Sequence, residues 1–177
     1  MKKIHAISSL TWASIMLSAC GVSNNMQDAV SYPIQNTQGT KIGTLVLTQI
    51  DTGGVNVDVE VTGLEPGTRA MHFHEFGKCE GPDFKSAGGH YNPAGVSHGQ
   101  VDDGPHAGDM MNVEVGADGK GQFVFVNDKV NLSGGDLPPL MDSDGSALII
   151  HGGADDYESQ PSGAAGPRVA CAVISAG

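Results

Sequence analysis

The histidines after residue 28 are spaced in ways that suit metal binding. His72 and His74 are separated by one residue in a segment of strand-like composition. Both imidazoles would therefore leave the same face of a strand, while Phe73 leaves the other face. Such a pair offers two nitrogen ligands on a stiff element, but a His-x-His on a protein surface is common without a metal. The pair alone is a weak signal.

A second set of histidines recurs at intervals of eight residues. His90, His98 and His106 lie in a segment rich in glycine and proline, and Asp109 follows three residues later. A loop has no structural period that would produce this regularity, and its glycines and prolines can bend the chain around an ion. Three imidazoles and one carboxylate suit a tetrahedral zinc site. His151, the last histidine of the chain, ends a segment that resembles a buried strand.

Short strands must position these residues. Segments of strand-like composition separated by turn signals occur at 29–36, 40–49, 55–61, 69–74, 111–115, 122–126, 147–151 and 168–175. Val55–Val61 alternates apolar and polar residues without a break, which predicts one buried and one wet face. The 26 glycines suit many tight turns. We therefore predict an all-β fold of eight antiparallel strands in a Greek-key sandwich or flattened barrel.

Two long segments, 76–110 and 152–167, have no strand pattern. Loops of this length in a compact domain usually have a function. The candidate metal ligands lie inside these segments or at their edges. We therefore expect both loops to form the functional site.

Four segments together resemble the copper,zinc superoxide dismutase family. They are 71–75 (MHFHE), 87–93 (AGGHYNP), 106–109 (HAGD) and 166–174 (GPRVACAVI). They occur in the order and at separations compatible with that family, and the resemblance extends from about residue 29 to the C-terminus. It implies that superoxide is converted to dioxygen and hydrogen peroxide by redox cycling of a copper ion bridged to zinc through His90.

The resemblance also implies a ligand set for one copper and one zinc ion per chain. Copper would be bound by His72, His74, His90 and His151. Zinc would be bound by His90, His98, His106 and Asp109. His90 would then serve both metals through its two ring nitrogens.

Further roles follow from the same resemblance. Asp155 matches a carboxylate that accepts hydrogen bonds from one ligand of each metal, with Asp156 as the alternative if the register differs by one. Arg168 matches the residue that docks superoxide near copper. Cys79 and Cys171 match an intrachain disulfide.

The N-terminal segment is typical of an export signal. Lys2 and Lys3 precede an apolar stretch at 7–17 that is too short to span a bilayer as a helix. Cys20 follows Ala19 in a pattern similar to the lipobox of bacterial lipoproteins. We predict a lipoprotein signal peptide at 1–19, a lipidated N-terminus and tether at 20–28 and the dismutase domain at 29–177. The alternative is an ordinary signal peptide with an incidental cysteine.

The location and the remaining cysteines follow from export. The chain would be anchored by lipid to a bacterial membrane, on the periplasmic side or the cell surface. Modification of Cys20 would leave only Cys79 and Cys171, which an oxidising compartment allows to pair.

The charge balance excludes several partners. Removing Lys2 and Lys3 leaves seven basic and twenty acidic residues, a net charge near −13. Such a chain is unsuited to nucleic acid or to anionic lipid surfaces, so membrane contact is expected through the N-terminal lipid alone. Superoxide is also an anion, but its capture depends on the local field, to which Arg168 gives a permanent positive charge. Lys78 and Lys85 are further candidates for steering. The sequence leaves the oligomeric state open.

Two other functions compete with dismutation. A lipoprotein on the same scaffold could store or deliver copper or zinc without turnover. A structural surface module with an incidental histidine-rich loop is the third reading. Arg168 favours the enzyme, because storage of a metal does not need an arginine that docks an anion.

Overall fold

The computed structural model describes residues 29–176. The predicted signal peptide at 1–19, the tether at 20–28 and the candidate lipidation residue Cys20 lie outside the described residues. In the described part of the chain, no helix is long and apolar enough to cross a bilayer.

The fold is all-β, as the sequence predicts. A single turn of 3-10 helix, Lys85–Ala87, lies in the first long loop. The strands are β1 (Val30–Asn36), β2 (Lys41–Gln49), β3 (Val55–Val61), β4 (Gly67–Arg69), β5 (Met71–His74), β6 (Val113–Val115), β7 (Gly121–Asn127), β8 (Ser146–His151) and β9 (Arg168–Ile174).

Seven strands form one antiparallel sheet in the order β5-β8-β9-β1-β2-β3-β7. β9 returns to lie beside β1, the first of three strands joined by consecutive hairpins. This order of a late strand beside the first is the Greek-key pattern.

The number of strands differs from the prediction. The segment at 69–74 was expected to be one strand, but Ala70 separates β4 from β5. β4 pairs with β6 in a separate two-stranded sheet, whereas β5 pairs with β8 in the large sheet. Nine strands are therefore described instead of eight, because one continuous segment without a turn signal serves two sheets.

The main core lies on the inner face of the large sheet. β3 alternates as predicted, with Val55, Val57, Val59 and Val61 buried. A second, smaller cluster covers the outer face of β8 and β9, where Phe84 and Ala87 of the first long loop pack on Ile149 and Cys171. Because the loop covers this outer face, side chains of β5 and β8 are buried on both sides.

Candidate metal centre

β5 carries two of the candidate metal ligands and is hydrogen-bonded to the first long loop. Phe73 points into the main core, so His72 and His74 face the loop, and both are buried. The edge of β5 that does not face β8 is hydrogen-bonded by loop segments: Tyr91 N donates to Phe73 O at 2.8 Å, and Phe73 N donates to Gly108 O at 2.9 Å. These bonds bring the histidine-rich loop directly against the strand.

A bulge at the end of β8 aligns His151 with Arg168. Ile150 pairs with Ala170, but the next residue, His151, pairs with Arg168, so Val169 is the extra residue on β9. Bulges of this kind redirect side chains and are common beside active sites. Here the bulge places a buried imidazole opposite the arginine that the sequence singles out.

The four histidines assigned to copper converge. The ring centroid of His90 lies 3.9 Å from that of His72, 5.0 Å from that of His74 and 6.1 Å from that of His151. One nitrogen from each of the four rings lies within 4.8 Å of the others. The structure therefore brings residues from β5, β8 and the first long loop to one point.

The hydrogen bonds of these rings show which nitrogen faces that point. His72 Nε2 lies 2.8 Å from Asp155 Oδ2, His74 Nδ1 3.1 Å from Gly88 O, and His151 Nδ1 3.4 Å from Gly166 O. The opposite nitrogens make no hydrogen bond to any residue in 29–176, although they are buried: His72 Nδ1, His74 Nε2, His90 Nε2 and His151 Nε2. Buried polar atoms without a partner are costly. Their convergence fits a metal ion bound by four nitrogens.

The second group gathers around Asp109. His90 Nδ1 lies 2.9 Å from Asp109 Oδ1, His98 Nδ1 3.0 Å from Oδ2 and His106 Nδ1 3.2 Å from Oδ1. Backbone N–H groups of Gly99 and His106 also donate to Asp109 Oδ2, at 2.9 and 3.0 Å. These donors and the pairing with His90 lower the pKa of the Asp109 carboxyl against the opposing effect of burial. A carboxylate and three imidazoles fit the zinc set expected from the spacing.

Asp155, and not its neighbour Asp156, lies between the two groups. Its buried carboxylate accepts from His72 through Oδ2 at 2.8 Å and from His98 through Oδ1 at 3.0 Å. Asp156 is exposed and accepts instead from the backbone of Glu158 and Ser159. Burial opposes ionisation of Asp155, but the bonds from both histidines outweigh it and lower its pKa to about 2.

Burial lowers the pKa of three copper-side imidazoles, those of His72, His74 and His151, and so keeps them neutral. It lowers the pKa of His72 to about 4, that of His151 to about 3, and that of His74 well below its usual value. Neutral imidazole is the form that binds metal. The folded protein therefore presents these rings in the ligand form without first removing protons.

The same shifts predict how the metal-free protein responds to acid. The unfolded chain takes up protons at His72 and His151 near pH 6.5, whereas the folded chain does so only near pH 4 and 3. Stability is therefore fully present above about pH 6.5 and falls as the pH decreases toward 4. Urea unfolding of metal-free protein at pH 7.5 and pH 5 would measure this. Equal stability at both pH values would contradict the neutral burial of these rings.

Arg168 is fixed at the rim of the copper-side group. Its Nη1 donates to Phe84 O at 2.7 Å and its Nη2 to Gly88 O at 2.6 Å. Gly88 O also lies 3.1 Å from His74 Nδ1, so one carbonyl orients both the arginine and a copper-side ring. The guanidinium is thus held in one position by the first long loop.

A cavity of about 450 Å³ opens above these residues. It is lined by His74, Glu75, Gly89, His90, Asn92, His106, His151, Pro161, Ser162, Gly166 and Arg168. The steering candidates Lys78 and Lys85 are not among the lining residues, and Lys85 pairs with Asp83 at 2.7 Å in the solvent. Arg168 is therefore the cationic side chain that lines the cavity, and Glu75 adds a carboxylate that the sequence analysis did not single out.

The predicted disulfide is confirmed. Cys79 is bonded to Cys171, with their Cα atoms 5.8 Å apart. Cys171 lies on β9 three residues after Arg168, and Cys79 belongs to the first long loop. The bond therefore ties that loop to the strand that carries Arg168.

Sequence reasoning missed the residues that hold Asp155 in place. Asn112 pairs with its backbone in both directions: Asn112 Nδ2 donates to Asp155 O at 2.8 Å, and Asp155 N donates to Asn112 Oδ1 at 2.8 Å. The Tyr157 hydroxyl accepts from Asn112 N at 2.6 Å, and Tyr157 N donates to Asp155 Oδ1 at 2.6 Å. No periodicity marks such residues in a loop, so the sequence held no signal for them beyond their proximity to Asp109 and Asp155.

Because Asp155 contacts one histidine of each metal group, we expect its replacement by asparagine to weaken zinc binding strongly. An Asp155→Asn variant has one side-chain oxygen where two are needed, so its NH₂ group would face one of the two histidine N–H groups. We expect zinc affinity to fall by about 10- to 100-fold, the usual effect of losing a hydrogen-bond partner behind metal ligands. Competition with a zinc chelator measures this, and Asp156→Asn is the matched control. Equal affinities in the two variants would contradict the bridging position.

Comparison with known proteins shows which protein family combines this fold with these two groups of ligands. Residues 41–174 match the family model for copper/zinc superoxide dismutase. The chain belongs to the copper/zinc superoxide dismutase family. Membership implies copper and zinc as its metals, and two overlapping groups of ligands are what the described residues provide.

Two relatives and one solved structure show how similar the chain is to known proteins. The chain is 46% identical to superoxide dismutase [Cu-Zn] 1 of Aquifex aeolicus over 143 residues, which cover 80% of this chain and 84% of the relative. It is 39% identical to superoxide dismutase [Cu-Zn] 2 of the same organism over 176 residues, 98% and 99% of the two chains. A solved structure of a double mutant of a SOD-like protein from Bacillus subtilis is similar with a TM-score of 0.79 and 39% identity, covering 82% of this chain and 97% of that one.

Proposed function

We propose that this chain is a superoxide dismutase with one copper and one zinc ion. Copper is held by His72, His74, His90 and His151. Zinc is held by His90, His98, His106 and Asp109. One observation carries the proposal: four buried rings have inner nitrogens that face one point and make no hydrogen bond within residues 29–176, beside an arginine that lines an open cavity.

The chemistry of the donors supports the division of the metals. Imidazole nitrogen suits both ions, whereas the added carboxylate of Asp109 suits zinc better than cuprous copper. His90 Nδ1 faces Asp109 and His90 Nε2 faces the four-histidine group. Deprotonated at both nitrogens, His90 would bridge the two metals.

The chain's own residues bind and orient the substrate. Copper, when bound, supplies the one-electron oxidation and reduction of superoxide. Arg168 keeps its charge at working pH and attracts the anion into the cavity. Two carbonyls fix the guanidinium, so it offers its remaining N–H groups in one direction. His90 Nε2 is a buried basic atom of a ring that lines the cavity, and it is placed to hold a proton that the peroxide product needs.

Storage or delivery of a metal remains the second candidate function. The same ligands would bind copper and zinc without turnover. The open cavity and the fixed Arg168 favour the enzyme, because storage of a metal does not need an arginine that docks an anion.

Selective removal of ligands tests the assignment of the metals. His151 belongs only to the copper group and His106 only to the zinc group. We expect His151→Ala to lose copper and retain zinc, and His106→Ala to lose zinc first, as measured by metal analysis after dialysis. Loss of zinc from His151→Ala together with retention of copper would contradict the assignment.

We further propose that residues 1–19 direct export and that Cys20 is lipidated, which anchors the domain at 29–177 to a bacterial membrane on its periplasmic side or at the cell surface. The likeness to the second Aquifex aeolicus relative supports a shared N-terminal segment, because it spans 98% of this chain. A Cys20→Ser variant should be released into the soluble fraction, whereas Ser23→Ala should remain with the membrane. Retention of Cys20→Ser in the membrane would contradict lipidation.

A further inference from the structure

The side chain of Gln160 is bonded to the backbone of a zinc-group histidine. Gln160 Oε1 accepts from His98 N at 2.9 Å, and Gln160 Nε2 donates to His98 O at 2.9 Å. The second hydrogen of Nε2 reaches Glu158 O at 3.0 Å. The carboxamide thus pairs with His98 in both directions, as a neighbouring strand would.

This pairing satisfies the backbone of His98. Within residues 29–176, neither His98 N nor His98 O makes a backbone–backbone hydrogen bond. Backbone donors and acceptors near a buried site need partners, and here Gln160 supplies both. The peptide groups on either side of the His98 Cα are therefore oriented from the second long loop.

The orientation matters because the His98 ring lies between two carboxylates. The ring is fully buried, its Nε2 lies 3.0 Å from Asp155 Oδ1, and its Nδ1 lies 3.0 Å from Asp109 Oδ2. Nε2 is hydrogen-bonded to Asp155, whereas Nδ1 makes no hydrogen bond within residues 29–176. Because the ring is held at Nε2, a rotation of the backbone at His98 would turn Nδ1 away from the zinc group.

Gln160 also connects this histidine to the substrate cavity. The next two residues, Pro161 and Ser162, line the cavity together with Arg168 and His151. A single loop residue therefore joins the zinc side of the centre to the wall of the copper side.

We infer that Gln160 is a positioning residue for zinc, which aims His98 Nδ1 by holding the His98 backbone. The inference rests on the assignment of zinc to the group that contains His98. Partners behind a metal ligand typically contribute about 10- to 100-fold in affinity. Because Gln160 is exposed and water can replace part of its bonding, we expect a loss of about tenfold.

Two variants and a control test the role. Gln160→Glu replaces the donor to His98 O by an oxygen, and Gln160→Asn keeps a carboxamide but shortens its reach by one methylene. Gln122→Leu is the control, because among the described residues the exposed Gln122 side chain is bonded only to the Glu60 side chain. The measurements are the Zn²⁺ dissociation constant by chelator competition, the visible absorption of Co²⁺ bound in the same group, and the thermal midpoint of the metal-free protein.

We expect both Gln160 variants to bind Zn²⁺ about tenfold more weakly than Gln122→Leu and to shift the Co²⁺ absorption, which reports ligand geometry. Unchanged Zn²⁺ affinity and an unchanged Co²⁺ spectrum would overturn the inference. So would a lowered thermal midpoint with a wild-type Co²⁺ spectrum, since that pattern indicates a structural role alone. None of these measurements depends on enzymatic turnover. They would therefore test the role of Gln160 even if the chain bound zinc without dismutating superoxide.

Discussion

Replacing Gly163 by alanine should disrupt both metal groups, whereas the same change at Gly95 should have little effect. A Cβ atom at Gly163 would overlap Asp155 Oδ1 and would lie 2.7 Å from His98 Nε2. The backbone of Gly163 is thus packed directly over the hydrogen bond that joins these two side chains. Asp155 cannot retreat, because Asn112 and Tyr157 hold its backbone and carboxylate.

Gly95 is a close control for this substitution. Both glycines have a φ of 66°, so an alanine at either position meets the same backbone strain, but nothing lies within 4 Å of a Cβ at Gly95. Overpacking a filled site costs about 1–3 kcal/mol beyond such strain. We expect Gly163→Ala to be less stable than Gly95→Ala by about that amount in urea unfolding of the metal-free protein.

The metal content should separate the two variants further. Asp155 contacts one histidine from each metal group, so its displacement disturbs both. Gly163→Ala should retain substoichiometric zinc and copper after dialysis, while Gly95→Ala retains both. If the two variants matched in stability and metal content, the close packing over Asp155 would be wrong.

The second large effect is expected on replacing Arg168, which should lower the rate of catalysis without changing the metal content. Arg168→Ala removes the charged donor that lines the cavity but no metal ligand. A hydrogen bond to a charged group contributes about 1.5–3 kcal/mol, which corresponds to a loss of about 10- to 100-fold in kcat/KM. Copper and zinc content should not change.

Arg168→Lys and Lys85→Ala complete this series. Lysine keeps the positive charge but lacks the planar fork that donates to Phe84 O and Gly88 O together, so an intermediate rate is expected. Lys85→Ala removes an exposed charge outside the cavity and should change the rate little. Loss of metal from Arg168→Ala would contradict docking and would indicate that the arginine supports the ligands instead.

The His72 and His74 pair and the zinc group could be predicted from residue type and spacing, whereas the full copper set came from the resemblance to the family. The i, i+2 spacing of His72 and His74 on a strand fixes a shared face, and the structure has that arrangement in β5. The two long loops were also predictable, since neither has a strand pattern. The division of 69–74 into β4 and β5 was not, because Ala70 carries no turn signal.

The parts of the site that the sequence did not reveal are contacts inside loops. Asp155 and Asp156 are chemically identical neighbours, and only the folded path of the second long loop buries one and exposes the other. The pairings of Asn112 with Asp155 and of Gln160 with His98 join positions 43 and 62 residues apart. Loop residues follow no period, so such partners become visible only when the two loops are packed together.

The most direct test of the two-metal dismutase is the rate of superoxide decay with the purified protein loaded with one copper and one zinc per chain. The rate should be far above that of spontaneous dismutation, should disappear when a chelator removes copper, and should return when copper is restored. A protein that holds both metals at full occupancy and leaves the decay of superoxide unchanged would contradict the enzyme and favour metal storage.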